Sequence, residues 1–175
     1  MTIKRVGIVG SGIMGSGIAE AAAKNGFEVV LRSRRQETAD AMLANLEKSL
    51  AKQVEKGKLS AEDQSATLGR VTTTSDLSEL AGCDLVIESI IEDLAAKRHL
   101  FNELDRICGD HTIIATNTST LPVIELAMET GRPEKVCGVH FFNPAPLMAL
   151  VEIVRPITAS DDTIEAARAF AQACG

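Results

Sequence analysis

Arg5-Val6-Gly7-Ile8-Val9 is a short apolar run that passes without a break into Gly10-Ser11-Gly12-Ile13-Met14-Gly15. Ile13 to Lys24 then has helical composition, with Gly26 as its stop. A strand that enters a helix through a G-x-G-x-x-G loop has few architectures open to it. Gly10 permits the tight turn, Gly12 lets backbone approach a pyrophosphate, and Gly15 allows helix and strand to pack closely; Ser11, Ile13 and Met14 complete the loop. Unpaired N–H groups and the partial positive charge at the helix start face the phosphates. The spacing alone is weak, since small residues recur in any tight turn. Its place between strand and helix is what points to a dinucleotide.

The rest of the chain alternates. Glu28 to Arg32 reads as the second strand. Gln36 to Lys58 reads as a long polar helix, with apolar Ala41, Leu43, Leu46 and Leu50 roughly three to four apart. Ser60-Ala61-Glu62-Asp63 fits a capped helix start, so residues 36 to 68 are predicted to form a helical hairpin excursion. Val71 to Thr74, Leu85 to Glu88, Thr112 to Thr116 and Val136 to Phe142 are further strands, with a helix over Asp93 to Cys108. A last strand, Ala149 to Arg155, precedes a helix over Asp161 to Ala173. This order implies an α/β chain with a Rossmann-type, doubly wound, mainly parallel sheet. Residues 1–175 are expected to form one dinucleotide-binding domain. Because another strand is expected beyond Ala173-Cys174-Gly175, that domain is predicted to be incomplete at its C-terminal end.

Composition excludes some partners. Eighteen Lys and Arg against 24 Asp and Glu give a net charge of −6, and there is no Trp or Tyr. Neither a phosphate backbone nor a stacked single strand has a platform here, so no nucleic-acid partner is expected. No apolar run approaches the length of a membrane span, and no membrane partner is expected. Cys83, Cys108, Cys137 and Cys174 are widely spaced with no C-x-x-C pair and no signal sequence. They read as buried or incidental thiols in a reducing cytoplasm, and no metal site is expected.

The stretch after the second strand bears on which dinucleotide is bound. An Asp or Glu some 20 residues past the glycines usually grips the adenosine ribose. Ser33 stands there, followed by Arg34 and Arg35. Serine removes the repulsion that a carboxylate exerts on a 2′-phosphate, and two guanidiniums offer charge-assisted bonds to one. The loop therefore leans to NADP. Plain NAD with a weakened ribose contact is the alternative, as is a solvated basic turn with a serine N-cap.

Asn117-Thr118-Ser119-Thr120 and Val139-His140-Phe141-Phe142-Asn143-Pro144 each follow or end a strand, where such sheets place ligands. A lone His between apolar neighbours is more often a satisfied core residue. Glu152, in the next strand, makes a His–carboxylate pair plausible: the Glu orients the ring and His140 acts as general base toward a hydroxyl proton. Ser119 either hydrogen-bonds the reacting oxygen or is an ordinary turn serine.

VGIVGSGIMGSGIAE, VIESIIEDLAAKRHLF, ATNTSTLP and GVHFFNPAPLMALVEIV, in this order, resemble the 3-hydroxyacyl-CoA dehydrogenases, including 3-hydroxybutyryl-CoA dehydrogenases. HFFNP, placed 21 residues after the serine of NTS and followed by Glu152, is more specific than the glycine loop. The resemblance implies an enzyme interconverting 3-hydroxyacyl-CoA and 3-oxoacyl-CoA with a nicotinamide cofactor. It puts His140 in the base position, Glu152 as its partner and Ser119 near substrate oxygen and nicotinamide. Glu92, Lys97, Asn117 and Asn143 match cofactor-side positions, and Ser49 and Lys56 match CoA contacts; on residue type alone the last two read as solvated surface. The family's Asp is replaced by Ser33, which puts its NAD preference in doubt. The resemblance also implies a homodimer and a helical C-terminal domain carrying a catalytic Asn; neither that domain nor that Asn is in this sequence, so weak turnover is expected. A cofactor-binding module without turnover, a dehydrogenase for carrier-protein-bound acyl groups and one for free hydroxy acids are the alternatives.

Overall fold

The computed structural model describes residues 1–175. Seven strands form one sheet: β1 (Arg5–Val9), β2 (Glu28–Arg32), β3 (Val71–Thr74), β4 (Leu85–Glu88), β5 (Ile113–Thr116), β6 (Val136–Phe141) and β7 (Val151–Val154). Their order is β3-β2-β1-β4-β5-β6-β7. The first six are parallel and β7 is antiparallel to β6. The doubly wound, mainly parallel sheet expected from the sequence is what the chain forms. Its order reverses between β1 and β4, and that switch point is where such sheets open a crevice.

Successive strand residues point to opposite faces, so each strand feeds two cores. Val6 and Ile8, Leu85 and Ile87, and Ile113 and Ala115 join one core of 27 buried residues. Val9, Val86 and Ile114 join a second of 14 on the other face. Helices α1 (Ile13–Lys24), α2 (Gln36–Glu55) and α3 (Ala61–Gly69) follow β1 and β2. Helix α4 (Leu94–Ile107) and the short α5 (Val123–Ala127) flank β5, and α6 (Asp161–Ala173) closes the chain. Residues of α1, α2 and α6 enter the larger core; Leu100, Phe101 and Leu104 of α4 and Leu126 of α5 enter the smaller.

The excursion of α2 and α3 forms as predicted, with Ser60 accepting the Asp63 N–H at 3.0 Å. Two details differ. The buried seam of α2 is Ala39, Met42, Leu46 and Leu50; Ala41 is exposed and Leu43 half-buried. The helix also stops at Glu55 rather than Lys58, because Gly57 adopts a φ of +65° and turns the chain. Strand β7 is shorter at both ends than Ala149–Arg155, and β6 stops at Phe141.

Candidate active site

The glycine loop is shaped by what a methyl group would strike. Gly10 has a φ of +138°, and a Cβ there would lie 2.1 Å from the Ser89 carbonyl oxygen. A Cβ on Gly15 would lie 2.3 Å from the Gly10 carbonyl oxygen. Both glycines are required by packing alone. Gly12, the N-cap of α1, has nothing within 4 Å of its Cβ position. Glycine is not needed there for the fold, and the open space lies in front of the helix start, where a diphosphate approaches backbone N–H groups. The loop thus fits a dinucleotide. Gly12→Ala is expected to leave the melting temperature unchanged while weakening dinucleotide binding by about ten- to a hundredfold, the loss of one or two charge-assisted bonds. Calorimetric titration with melting curves checks this; unchanged affinity would remove the loop from the binding site.

A cleft of about 1060 Å³ runs along the C-terminal ends of the strands. Gly10, Ser11, Gly12, Ile13 and Met14 line its middle. Arg32, Ser33 and Arg34 line one end, beyond β2. Glu92, Lys97, Asn117, Ser119, His140 and Asn143 line the other. Arg35 does not line the cleft: it is the exposed N-cap residue of α2 and makes no side-chain cap bond. Ser33 is not that cap; it is buried, and its N–H donates to the Thr74 carbonyl at 3.1 Å. Arg32, the last residue of β2, turns its side chain into the cleft lining instead. Its Nε is buried without a hydrogen-bond partner. Burial pulls its guanidinium below the ordinary value; Glu103 opposes this and Arg34 reinforces it.

At the opposite end, His140 and Glu152 are direct cross-strand partners in the β6–β7 register. Antiparallel pairing places their side chains on one face, and His140 Nδ1 lies 2.8 Å from Glu152 Oε2. An ionised carboxylate only accepts, so Nδ1–H donates to it, and in the neutral ring Nε2 then keeps its lone pair. The His140 side chain is 15% exposed and that of Glu152 is 55%. The ring of Phe142 packs 4.6 Å from the imidazole, centroid to centroid. Asn117 stands where β5 leaves the sheet. Its Oδ1 accepts the Phe141 N–H at 2.8 Å, replacing the next rung of the ladder.

Beneath this end lies a polar cluster that the sequence did not reveal. Glu88, fully buried at the tip of β4, accepts from Lys97 Nζ at 2.5 Å, the Ile90 N–H at 2.7 Å and the Thr116 hydroxyl at 2.7 Å. Lys97, 1% exposed, also reaches Glu92 Oε2 at 3.2 Å. The Thr118 hydroxyl donates to Glu92 Oε1. Burial pushes the Glu92 carboxyl up, but the Thr118 bond and the Lys97 charge outweigh it and leave it below its ordinary value. VIESIIED gives only a buried strand ending in Glu88; nothing local says that an ammonium nine residues later folds back onto it.

Ser119 is exposed at the cleft wall, as is Asn143. Ser49 and Lys56 lie outside the cleft lining. The Ser49 hydroxyl donates to Glu20 Oε2 at 3.0 Å, and the same carboxylate accepts from Gln53 at 2.7 Å. Lys56 is exposed at the C-cap of α2. This cleft thus has the glycine loop at its centre, arginines at one end and the His140–Glu152 pair at the other.

The family model described as 3-hydroxyacyl-CoA dehydrogenase, NAD binding domain, matches residues 5–175. A probable 3-hydroxybutyryl-CoA dehydrogenase of Bacillus subtilis (strain 168) is 44% identical over 175 residues, 100% of this chain and 61% of that protein. A 3-hydroxybutyryl-CoA dehydrogenase of Bradyrhizobium diazoefficiens is 41% identical over 99% of this chain and 59% of its own length. The crystal structure of (S)-3-hydroxybutyryl-CoA dehydrogenase from Ralstonia eutropha superposes with a TM-score of 0.97 at 37% identity, covering 99% of this chain and 62% of that one. The chain therefore spans about three fifths of the length of these relatives.

Proposed function

Because the chain belongs to the 3-hydroxyacyl-CoA dehydrogenase family, matched over its NAD-binding domain, we propose that it is the cofactor-binding and base-bearing part of an enzyme that interconverts 3-hydroxyacyl-CoA and 3-oxoacyl-CoA. The observation that carries this reading is the His140–Glu152 pair at one end of the cleft whose centre is the glycine loop. A cradle alone serves any binder; a carboxylate-oriented imidazole beside it serves proton transfer.

When bound, NAD(P)⁺ supplies the hydride acceptor. The chain's own residues hold the rest. His140 Nε2 takes the hydroxyl proton of the substrate in oxidation and returns it in reduction. Glu152 fixes the ring through Nδ1 and stabilises the imidazolium. Ser119, exposed beside the cleft, hydrogen-bonds the reacting oxygen. Lys97 and Glu92 hold the wall at the nicotinamide end. Ser49 and Lys56 remain proposed CoA contacts from the family pattern, with Ser49 exchanging its bond to Glu20 for the ligand. The resemblance also proposes a homodimer for the whole protein. A reducing cytoplasmic setting fits the thiols: burial pushes Cys83, Cys137 and Cys174 up to about 12 and Cys108 up to about 11, so all four stay protonated. No helix is long and apolar enough to cross a membrane.

Reduction of NAD⁺ or NADP⁺ by 3-hydroxybutyryl-CoA tests the activity, followed by absorbance of the reduced cofactor. Cofactor binding with no turnover on any 3-hydroxyacyl thioester, in the whole protein, would leave a binding module instead.

For the cofactor, NADP is favoured over NAD. Ser33 carries no charge to repel a 2′-phosphate. The Arg32 guanidinium, with an unpartnered Nε and Arg34 close by, is a cationic pair suited to an anion. Ser33→Asp is expected to weaken NADPH binding by about tenfold or more through like-charge repulsion, with NADH unaffected or tightened. Side-by-side titration at two salt concentrations checks it. NADH binding as tightly as NADPH in the unmodified chain would assign the cleft to NAD.

A further inference from the structure

The polar cluster under the proposed nicotinamide end contains two carboxylates and one ammonium. Lys97 Nζ is 2.5 Å from Glu88 and 3.2 Å from Glu92. The Glu88 side chain is 0% exposed and cannot be neutralised by water, whereas that of Glu92 is 42% exposed and lines the cleft. The closer, drier contact dominates the charge balance of the ammonium. Glu92 is therefore left with most of its negative charge facing the cleft. The Thr118 hydroxyl, whose residue is itself buried, holds the carboxylate in place. No other cation pairs with Glu92.

We propose that Glu88 is a positioning residue which, by holding Lys97, leaves Glu92 with most of its negative charge facing the cleft, and that this charge selects the oxidised form of the cofactor. This rests on the reading of the cleft as a nicotinamide dinucleotide site. The oxidised ring carries a positive charge and the reduced ring does not, so a nearby carboxylate distinguishes the two forms of an otherwise identical ligand. Phosphates, riboses and adenine are common to both and cancel in the comparison.

Without the Glu88 charge, Lys97 turns to Glu92 and the wall becomes neutral. Glu88→Gln keeps an acceptor for the Ile90 N–H and the side-chain shape, so the strand end is retained. The ratio of the dissociation constant for NADP⁺ to that for NADPH, and likewise for NAD⁺ to NADH, is then expected to rise about three- to tenfold. That is the scale of one unit charge acting over roughly 10 Å at the effective dielectric of a protein site, after screening. Glu92→Gln removes the surface charge without touching the buried pair and is expected to move the ratio in the same direction.

The test is calorimetric titration of the chain and both variants with all four dinucleotides, in the absence of substrate. A merely structural role weakens oxidised and reduced forms together and leaves the ratio unchanged. An unchanged ratio in Glu92→Gln overturns the proposal even if Glu88→Gln fails to fold. Failure of the unmodified chain to bind any of the four overturns the cofactor reading itself, and this inference with it.

Discussion

Replacing His140 by Asn is expected to lower kcat for oxidation of a 3-hydroxyacyl-CoA by about 10²–10⁴-fold, the range that general-base catalysis contributes. Cofactor affinity should change far less. Asparagine keeps a polar group of similar size but has no nitrogen lone pair to accept the substrate proton. Glu152→Gln is expected to be a weaker lesion of the same step. Its amide oxygen still accepts from Nδ1–H, so the tautomer survives, but the charge that stabilises the imidazolium is gone. Steady-state kinetics with parallel cofactor titrations separates these effects. If His140→Asn lost cofactor affinity and turnover in equal measure, the imidazole would be a wall of the cleft rather than its base.

The largest stability effect is expected at Lys97. Lys97→Met preserves the apolar stem but strands the Glu88 carboxylate, 0% exposed, with two neutral donors and no cation. Breaking a buried pair from one side costs about 3–5 kcal/mol. For a domain of this size that is a fall of roughly 6–20 °C in melting temperature. Adding Glu88→Gln to Lys97→Met should recover most of the loss, because the charge disappears while the Ile90 N–H keeps its acceptor. Thermal and urea unfolding of the single and double variants measure this. A loss below about 1 kcal/mol in Lys97→Met would mean that water reaches Glu88.

Much of the architecture was legible because it is written in local periods. The strands β1, β2, β3 and β4 fall on the predicted residues, since each is a short apolar or β-branched run closed by polar or glycine-containing turns. Helix α6 also falls on its predicted span, opened by Ser160, which accepts the Thr163 N–H at 3.2 Å. The seam of α2 was harder to place. Ala41 and Leu43 are apolar but off the stripe, while Ala39 and Met42 are on it. Apolar character alone does not give helix rotation when the partner surface is unknown.

The site divides in the same way. Gly10, Gly12 and Gly15 could be read one by one, because their spacing between strand and helix is a local pattern, although the atom that excludes a side chain at Gly10 is the distant Ser89 carbonyl and Gly12 meets nothing in the fold. His140 and Glu152 could be paired because each sits in its own strand and neighbouring strands usually pair. Arg35 and Arg32 exchanged places relative to expectation. Which arginine turns toward the cleft depends on where β2 ends and α2 begins, a difference of one or two residues that composition does not resolve.

The sequence by itself determined the alternation of strand and helix, the phosphate cradle after β1 and the residue types that allow proton transfer, because these rest on contacts between near neighbours. Only the tertiary structure decided that Glu88 closes on Lys97, that Asn117 completes the ladder at Phe141, and that Ser49 is bonded to Glu20. Those partners lie 9, 24 and 29 residues apart. Burial makes each polar group demand a partner, but only the packed sheet and helices settle which one is within reach.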